Sequence, residues 1–172
     1  MRCPKSKGDE TIPFSLNADE ILKMAEQIER NGARFYRSAA AARFDQEING
    51  KLLELAEMED SHEKTFATMR GELDGRETES LTFDPEGQTE RYLMAMADSS
   101  LFDQTVDPSD QGKGKTIEQV LNIALENEKA SILFYLGLQN LVPERLGKGK
   151  VDGIVKEEMS HVVLLKEQLA AL

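Results

Sequence analysis

Cysteine is almost absent from this sequence of 172 residues, and tryptophan is absent altogether. The one cysteine, Cys3, can neither close a disulfide within the chain nor build a thiolate-rich zinc or iron–sulfur site. A lone thiol is typical of proteins kept in a reducing compartment, and the first eight residues lack the apolar stretch of a secretory signal peptide. We therefore expect the protein to be cytoplasmic.

Long apolar runs and positive charge are also scarce. No segment is apolar for long enough to span a bilayer. The chain has 21 basic residues against 32 acidic ones, which gives a net charge of −11. This surplus repels nucleic acids and anionic membrane surfaces and supplies oxygen ligands that attract cations. The composition therefore predicts no nucleic-acid partner and no membrane partner.

What the sequence does contain is two helix-rich halves, joined by a polar segment at about residues 75–115. Hydrophobic periodicity predicts four helices, with bounds near residues 17–43, 47–73, 116–140 and 144–172. Capping-box pairs, Asn17 with Glu20 and Thr116 with Gln119, open the first and third helices 99 residues apart. Because the halves match position by position at that offset, we predict an all-α four-helix bundle made of two duplicated hairpins. The bundle spans residues 17–172, its long crossover carries a short extra helix near residues 92–102, and residues 1–16 form a flexible tail.

Ionisable residues interrupt the apolar stripe near the middle of each predicted helix. They are Glu29 on the first helix, Glu59 and His62 on the second, Glu128 on the third, and Glu158 and His161 on the fourth. Carboxylates buried in a bundle must be paired, protonated or bound to a cation. Four carboxylates and two imidazoles suit two divalent ions, and one Glu from each of two helices with Glu-x-x-His from the other two is the pattern of di-iron carboxylate bundles.

The spacing of these residues is more specific than a single Glu-x-x-His motif. Both histidines of the chain follow a glutamate by three residues, and each such glutamate lies 30 residues after the stripe glutamate of its half. A metal-free polar network is the alternative interpretation. Oxygen-rich ligation with imidazole and without thiolate favours iron or manganese over structural zinc. We expect two iron ions per chain, with manganese or zinc as alternatives.

Small residues and tyrosines accompany the two stripe glutamates at matching positions. The small residues, one turn before and after each glutamate, are Ala25, Gly32, Ala124 and Ser131. They predict open space for metals and a small ligand. Tyr36 and Tyr135 follow the glutamates by seven residues, and their hydroxyls could orient a ligand carboxylate. Plain core packing is the alternative role for both tyrosines.

The paired motifs, Glu29…Tyr36…Glu59-x-x-His62 and Glu128…Tyr135…Glu158-x-x-His161, resemble the rubrerythrin-like branch of the ferritin-like family over residues 17–172. The resemblance implies a ferritin-like bundle in which Glu59 and Glu158 bridge two metals. It assigns Glu29 and His62 to one metal, and Glu128 and His161 to the other. It also implies a homodimer or higher assembly, and chemistry on hydrogen peroxide or dioxygen.

Two features depart from the rubrerythrin pattern. Rubrerythrins carry a rubredoxin module with four cysteines that supplies electrons to the centre. This chain has only Cys3, so any reductase activity needs an external electron-donor protein. They also carry an additional glutamate near the ligand of the third helix, where this sequence has Leu125 and Ser131. Glu26, one turn before Glu29, is a possible substitute, but we expect it to be a solvated surface residue.

Three functions fit this pattern. The first is a di-iron oxidoreductase that reduces peroxide or dioxygen with an external donor. The second is a ferroxidase that oxidises ferrous iron for storage or detoxification. The third is a metal-stabilised or sensing bundle without turnover. Peroxide turnover distinguishes the first, accumulation of ferric iron beyond two per chain the second, and a metal inert to both oxidants the third.

Overall fold

The computed structural model describes residues 18–42, 44–73, 107–140, 142 and 144–172. In these residues the chain forms four α-helices and two 3-10 helices, without any β-strand. The α-helices are α1 (Ala18–Ala41), α2 (Gln46–Gly71), α3 (Ile117–Gln139) and α4 (Lys148–Ala170), and the 3-10 helices are Pro108–Asp110 and Glu144–Leu146. The predicted all-α four-helix bundle is confirmed. The tail at residues 1–16, Asn17 and the short helix near residues 92–102 lie outside the described residues.

The bundle consists of two helical hairpins. Helix α1 packs along α2, α3 packs along α4, and the hairpins meet through α1 with α3 and α2 with α4. The 3-10 helix at Pro108–Asp110 lies against α1, where the Ser38 hydroxyl donates a 2.6 Å hydrogen bond to the carbonyl of Ser109. The last part of the connection between the hairpins, at residues 108–110, therefore contacts α1 before α3 begins.

Local chemistry determines where the helices start. Thr116 and Gln119 form the predicted capping box at α3, and the Asp45 side chain accepts a hydrogen bond from the amide of Glu47 at α2. The predicted start of the fourth helix at Glu144 is wrong. Residues 144–146 form a 3-10 turn, and Gly147 adopts a left-handed conformation (φ 100°) that separates this turn from α4.

The apolar core is divided into two parts by the middle of the bundle. One part includes Leu22, Phe66 and Phe134, and the other includes Phe35 and Leu165. On every helix the ionisable residues of the predicted stripe lie between these two parts in sequence. No helix of the described part is long and apolar enough to cross a membrane.

Candidate metal centre

All six predicted ligand residues lie buried between the two parts of the core, and none is more than 5% exposed. They are Glu29, Glu59, His62, Glu128, Glu158 and His161. Each of the four helices contributes at least one of them. The imidazole rings of His62 and His161 lie nearly parallel, with centroids 5.9 Å apart and an interplanar angle of 18°, so one histidine from each half of the chain lies beside the other. The 99-residue repeat thus brings its polar positions together at one level of the bundle.

The Glu158 carboxylate lies between the two histidines. Its Oε1 atom is 2.8 Å from Nδ1 of His62, and its Oε2 atom is 2.9 Å from Nδ1 of His161. Glu29 Oε2 lies 3.4 Å from the first of these nitrogens, and Glu128 Oε2 lies 3.5 Å from the second. Each histidine therefore has its own glutamate, while Glu158 presents one oxygen to each.

Two overlapping groups of four residues have the spacing of metal sites. The first group is Glu29, Glu59, His62 and Glu158, and the second is Glu59, Glu128, Glu158 and His161. In each group, one nitrogen or oxygen atom per residue lies within 4.8 Å of those of the other three. Glu59 and Glu158 belong to both groups. This sharing is the arrangement that the resemblance implies for bridging carboxylates.

The polar atoms at the centre fit a cation. Six buried atoms there make no hydrogen bond to any described residue. Five of them take part in the close contacts given above: Glu29 Oε2, His62 Nδ1, both carboxylate oxygens of Glu158, and His161 Nδ1; the sixth is Nε2 of His161. The neighbours of these five atoms are close, but the N–H···O alignment of a hydrogen bond is missing. Buried polar atoms without partners are costly, and each needs an explanation. Divalent cations that accept the converging lone pairs satisfy these five atoms together, whereas without a metal the same atoms form close ion pairs that lack hydrogen-bond geometry.

The electrostatics of the metal-free cluster are governed by burial and by the excess of carboxylates. Burial opposes charging of the histidines, but the adjacent carboxylates outweigh it and raise the pKa of His62 to about 11 and that of His161 to about 10. Burial and neighbouring negative charge raise the pKa of Glu128 to about 8, and that of Glu59 well above its usual range. Burial also opposes ionisation of Glu158, but the two imidazoles lower its pKa. A metal that binds here therefore displaces protons.

The two tyrosines hold glutamates across the bundle. The Tyr36 hydroxyl of α1 donates to Glu128 of α3, and the Tyr135 hydroxyl of α3 donates to Glu29 of α1. Burial, together with the neighbouring glutamate charge, raises the pKa of both phenols well above the usual range, so both remain protonated donors. Each tyrosine thus donates a hydrogen bond to the stripe glutamate of the other half of the chain.

Glu157 is a polar contact of the centre that the sequence analysis missed. Its Oε2 atom lies 2.9 Å from Nε2 of His62, on the side of the ring away from the other carboxylates. The side chain is 60% exposed, so it is the solvent-facing neighbour of a buried ring. Its place directly before Glu158 gave no signal in the sequence, because acidic residues are abundant on solvated helix faces.

The predicted environment of two other residues is wrong. Glu26 is not solvated: it is 5% exposed, and Arg70 donates to both of its carboxylate oxygens. The space beside Gly32 is not open, because a Cβ atom added there would lie 3.1 Å from Cδ and 3.2 Å from Oε2 of Glu59. The glycine instead accommodates the Glu59 carboxylate.

Gly32→Ala is therefore expected to displace the Glu59 carboxylate and to weaken metal binding by about tenfold, as displaced metal-site geometry typically does. Gly50→Ala on α2 is the matched control, because a Cβ atom at Gly50 meets nothing within 4 Å. Alanine favours helix over glycine at both positions, so both variants should fold. Calorimetric titration with Co²⁺ measures the affinities; equal affinity in the two variants would contradict this role for Gly32.

Comparison with solved structures identifies the fold. A crystal structure of a candidate ferritin-like diiron-carboxylate protein from Thermotoga maritima matches this chain with a TM-score of 0.67 and 26% sequence identity. The match covers 91% of this chain and 96% of the other. The chain has a ferritin-like fold. Within that fold, the described residues bring a carboxylate–histidine cluster together in the buried middle of the bundle. No family model matches the sequence, and no curated protein matches it either.

Proposed function

We propose that this protein is a di-iron carboxylate oxidoreductase that reduces hydrogen peroxide or dioxygen with electrons from an external donor protein. The observation that supports the proposal best is the pair of buried four-residue groups that share Glu59 and Glu158. The neighbour from Thermotoga maritima, a candidate diiron-carboxylate protein, gives further support. The proposal includes two iron ions per chain; the cytoplasmic location and the homodimer stay predictions.

The six buried residues would hold the two irons. Glu29 and His62 would hold one ion, Glu128 and His161 would hold the other, and Glu59 and Glu158 would be shared by the two. When bound, the iron pair supplies the one-electron and oxygen chemistry that side chains lack. The bundle keeps the ligands buried, and the Tyr36 and Tyr135 hydroxyls restrain Glu128 and Glu29. Restrained ligands keep the site organised while the charge of the centre changes.

A ferroxidase is the second candidate, and the positions of the missing rubrerythrin glutamate favour it. Leu125 and Ser131 are buried there, and the Ser131 hydroxyl donates to the carbonyl of Asn127. Glu26 is held by Arg70, so it is not free to replace the missing carboxylate. Because these residues do not replace that carboxylate, the centre fits the rubrerythrin-type peroxidase less well, which favours the ferroxidase.

Peroxide turnover tests the proposed function. Iron-loaded protein supplied with hydrogen peroxide and a chemical reductant should consume many equivalents of peroxide per chain, at least about tenfold faster than the same iron free in buffer. Glu57→Ala, an exposed change on α2, should match the wild type, and Glu158→Ala should be inactive. With excess ferrous iron in place of the reductant, consumption of one equivalent of peroxide per two ferrous ions, with ferric iron accumulating beyond two per chain, would support the ferroxidase. A bound metal that reacts with neither hydrogen peroxide nor dioxygen would contradict both functions.

A further inference from the structure

The two histidines of the centre differ on the side of the ring that faces away from the carboxylates. Nε2 of His62 has the Glu157 carboxylate at 2.9 Å, whereas Nε2 of His161 is buried and makes no hydrogen bond to any residue that the structure describes. The repeat explains the difference, because the position 99 residues before Glu157 is occupied by Met58. A thioether cannot accept a hydrogen bond as a carboxylate does. The duplication is thus broken at one position that touches the centre.

The Glu157 contact determines which nitrogen of His62 carries a hydrogen. An ionised carboxylate only accepts, so the hydrogen lies on Nε2. In the neutral ring the lone pair then lies on Nδ1, which faces Glu29 Oε2 at 3.4 Å and Glu158 Oε1 at 2.8 Å. A second partner of this kind fixes the tautomer and orientation of a metal-ligating histidine and raises its basicity. No described residue does the same for His161.

We propose that Glu157 is a positioning residue that prepares His62 for metal, and that the Glu29–His62 half of the centre binds its ion more tightly than the Glu128–His161 half. The inference rests on the proposed di-iron centre and adds that its two sites are unequal and fill in order. Among the described residues of the centre, Glu157 forms a hydrogen bond or ion pair only with His62, so its effect should be confined to one half.

Anaerobic titration with Co²⁺, followed by calorimetry and by ligand-field absorption, tests this inference. The wild type should bind two ions in separable steps. Glu157→Ala should weaken the tighter step by about 10–100-fold, the range for loss of a histidine's outer partner, and should leave the weaker step unchanged. Glu157→Gln should recover part of the loss, because its amide oxygen still accepts from Nε2. Glu167→Ala, an exposed change on the same helix, should alter neither step.

A double-mutant comparison assigns the affected step to His62. Combined with His62→Ala, Glu157→Ala should cause no further loss, because the ring it positions is gone. Combined with His161→Ala, it should cause its full loss. Two bound ions with affinities unaffected by Glu157→Ala, or both weakened equally, would overturn this inference and leave the di-iron proposal intact. Failure of the wild type to bind two ions would overturn both.

Discussion

Glu59→Gln and Glu158→Gln are each expected to abolish binding of both metal ions, whereas Glu29→Gln should weaken only one. The reason is that Glu59 and Glu158 belong to both four-residue groups, and Glu29 belongs to one. Glutamine keeps the shape of the side chain but removes the charge that a bridging ligand shares between two cations. Metal content after loading should fall from two ions per chain to below about 0.2 in the first two variants, because each ion loses one of its charged ligands when a shared carboxylate is removed.

Of these substitutions, Glu59→Gln should also stabilise the metal-free protein. Without metal, Glu59 is buried and faces the charges of Glu29 and Glu158, and these effects raise its pKa well above its usual range. A neutral amide removes that penalty, by about 1 kcal/mol, and buried charges are often replaced without loss of stability. Such a gain raises the Tm of a chain of this size by roughly 2–4 °C.

The two results together separate loss of ligation from loss of fold. Circular dichroism and calorimetry of metal-free Glu59→Gln should show full helix content and a Tm at or above that of the wild type. Loss of one ion only, or an equal loss in Glu29→Gln, would contradict the shared role of Glu59. An unfolded variant would contradict the electrostatic argument.

Metal loading is expected to raise the thermal stability of the wild type strongly. A ligand that binds only the folded state adds about 2.7 kcal/mol at a free concentration of one hundred times its dissociation constant, or about 5 kcal/mol for two ions. For a chain of this size that corresponds to an increase in Tm of roughly 10–20 °C. Differential scanning calorimetry with Co²⁺, and again after removal of the metal with a chelator, measures the shift and its reversal.

The double variant Glu59→Gln/Glu158→Gln is the control for this stabilisation. It keeps the exposed carboxylates of the bundle, which bind cations only weakly. It removes both shared ligands. Its Tm should change by less than about 2 °C on addition of Co²⁺, since weak surface ion binding contributes little. An increase equal to that of the wild type would assign the stabilisation to the surface and contradict the buried site.

The repeat made the burial and clustering of the six predicted ligand residues predictable from the sequence. Polar residues on an apolar stripe are rare, and two copies at one offset mark the level at which four helices meet. Buried side chains beside the stripe follow the same offset, as Phe35 and Phe134 do. The predicted end of the fourth helix at residue 172 is wrong, because α4 ends at Ala170 and Leu172 is 60% exposed.

Contacts between helices were less predictable. Tyr36 serves Glu128 and Tyr135 serves Glu29, because the hydroxyls reach across the bundle and not along their own helix. Glu26 is buried and accepts hydrogen bonds from Arg70 of α2, which lies 44 residues further along the chain. These pairings depend on the relative rotation of the helices, which the periodicity of one helix does not determine.

Anomalous scattering from crystals of the iron-loaded protein, measured at the iron absorption edge, tests the central claim most directly. The proposal predicts two iron peaks in the middle of the bundle, one beside Glu29 and His62 and one beside Glu128 and His161, with Glu59 and Glu158 contacting both. A single peak, or iron only at surface carboxylates, would contradict the di-iron centre.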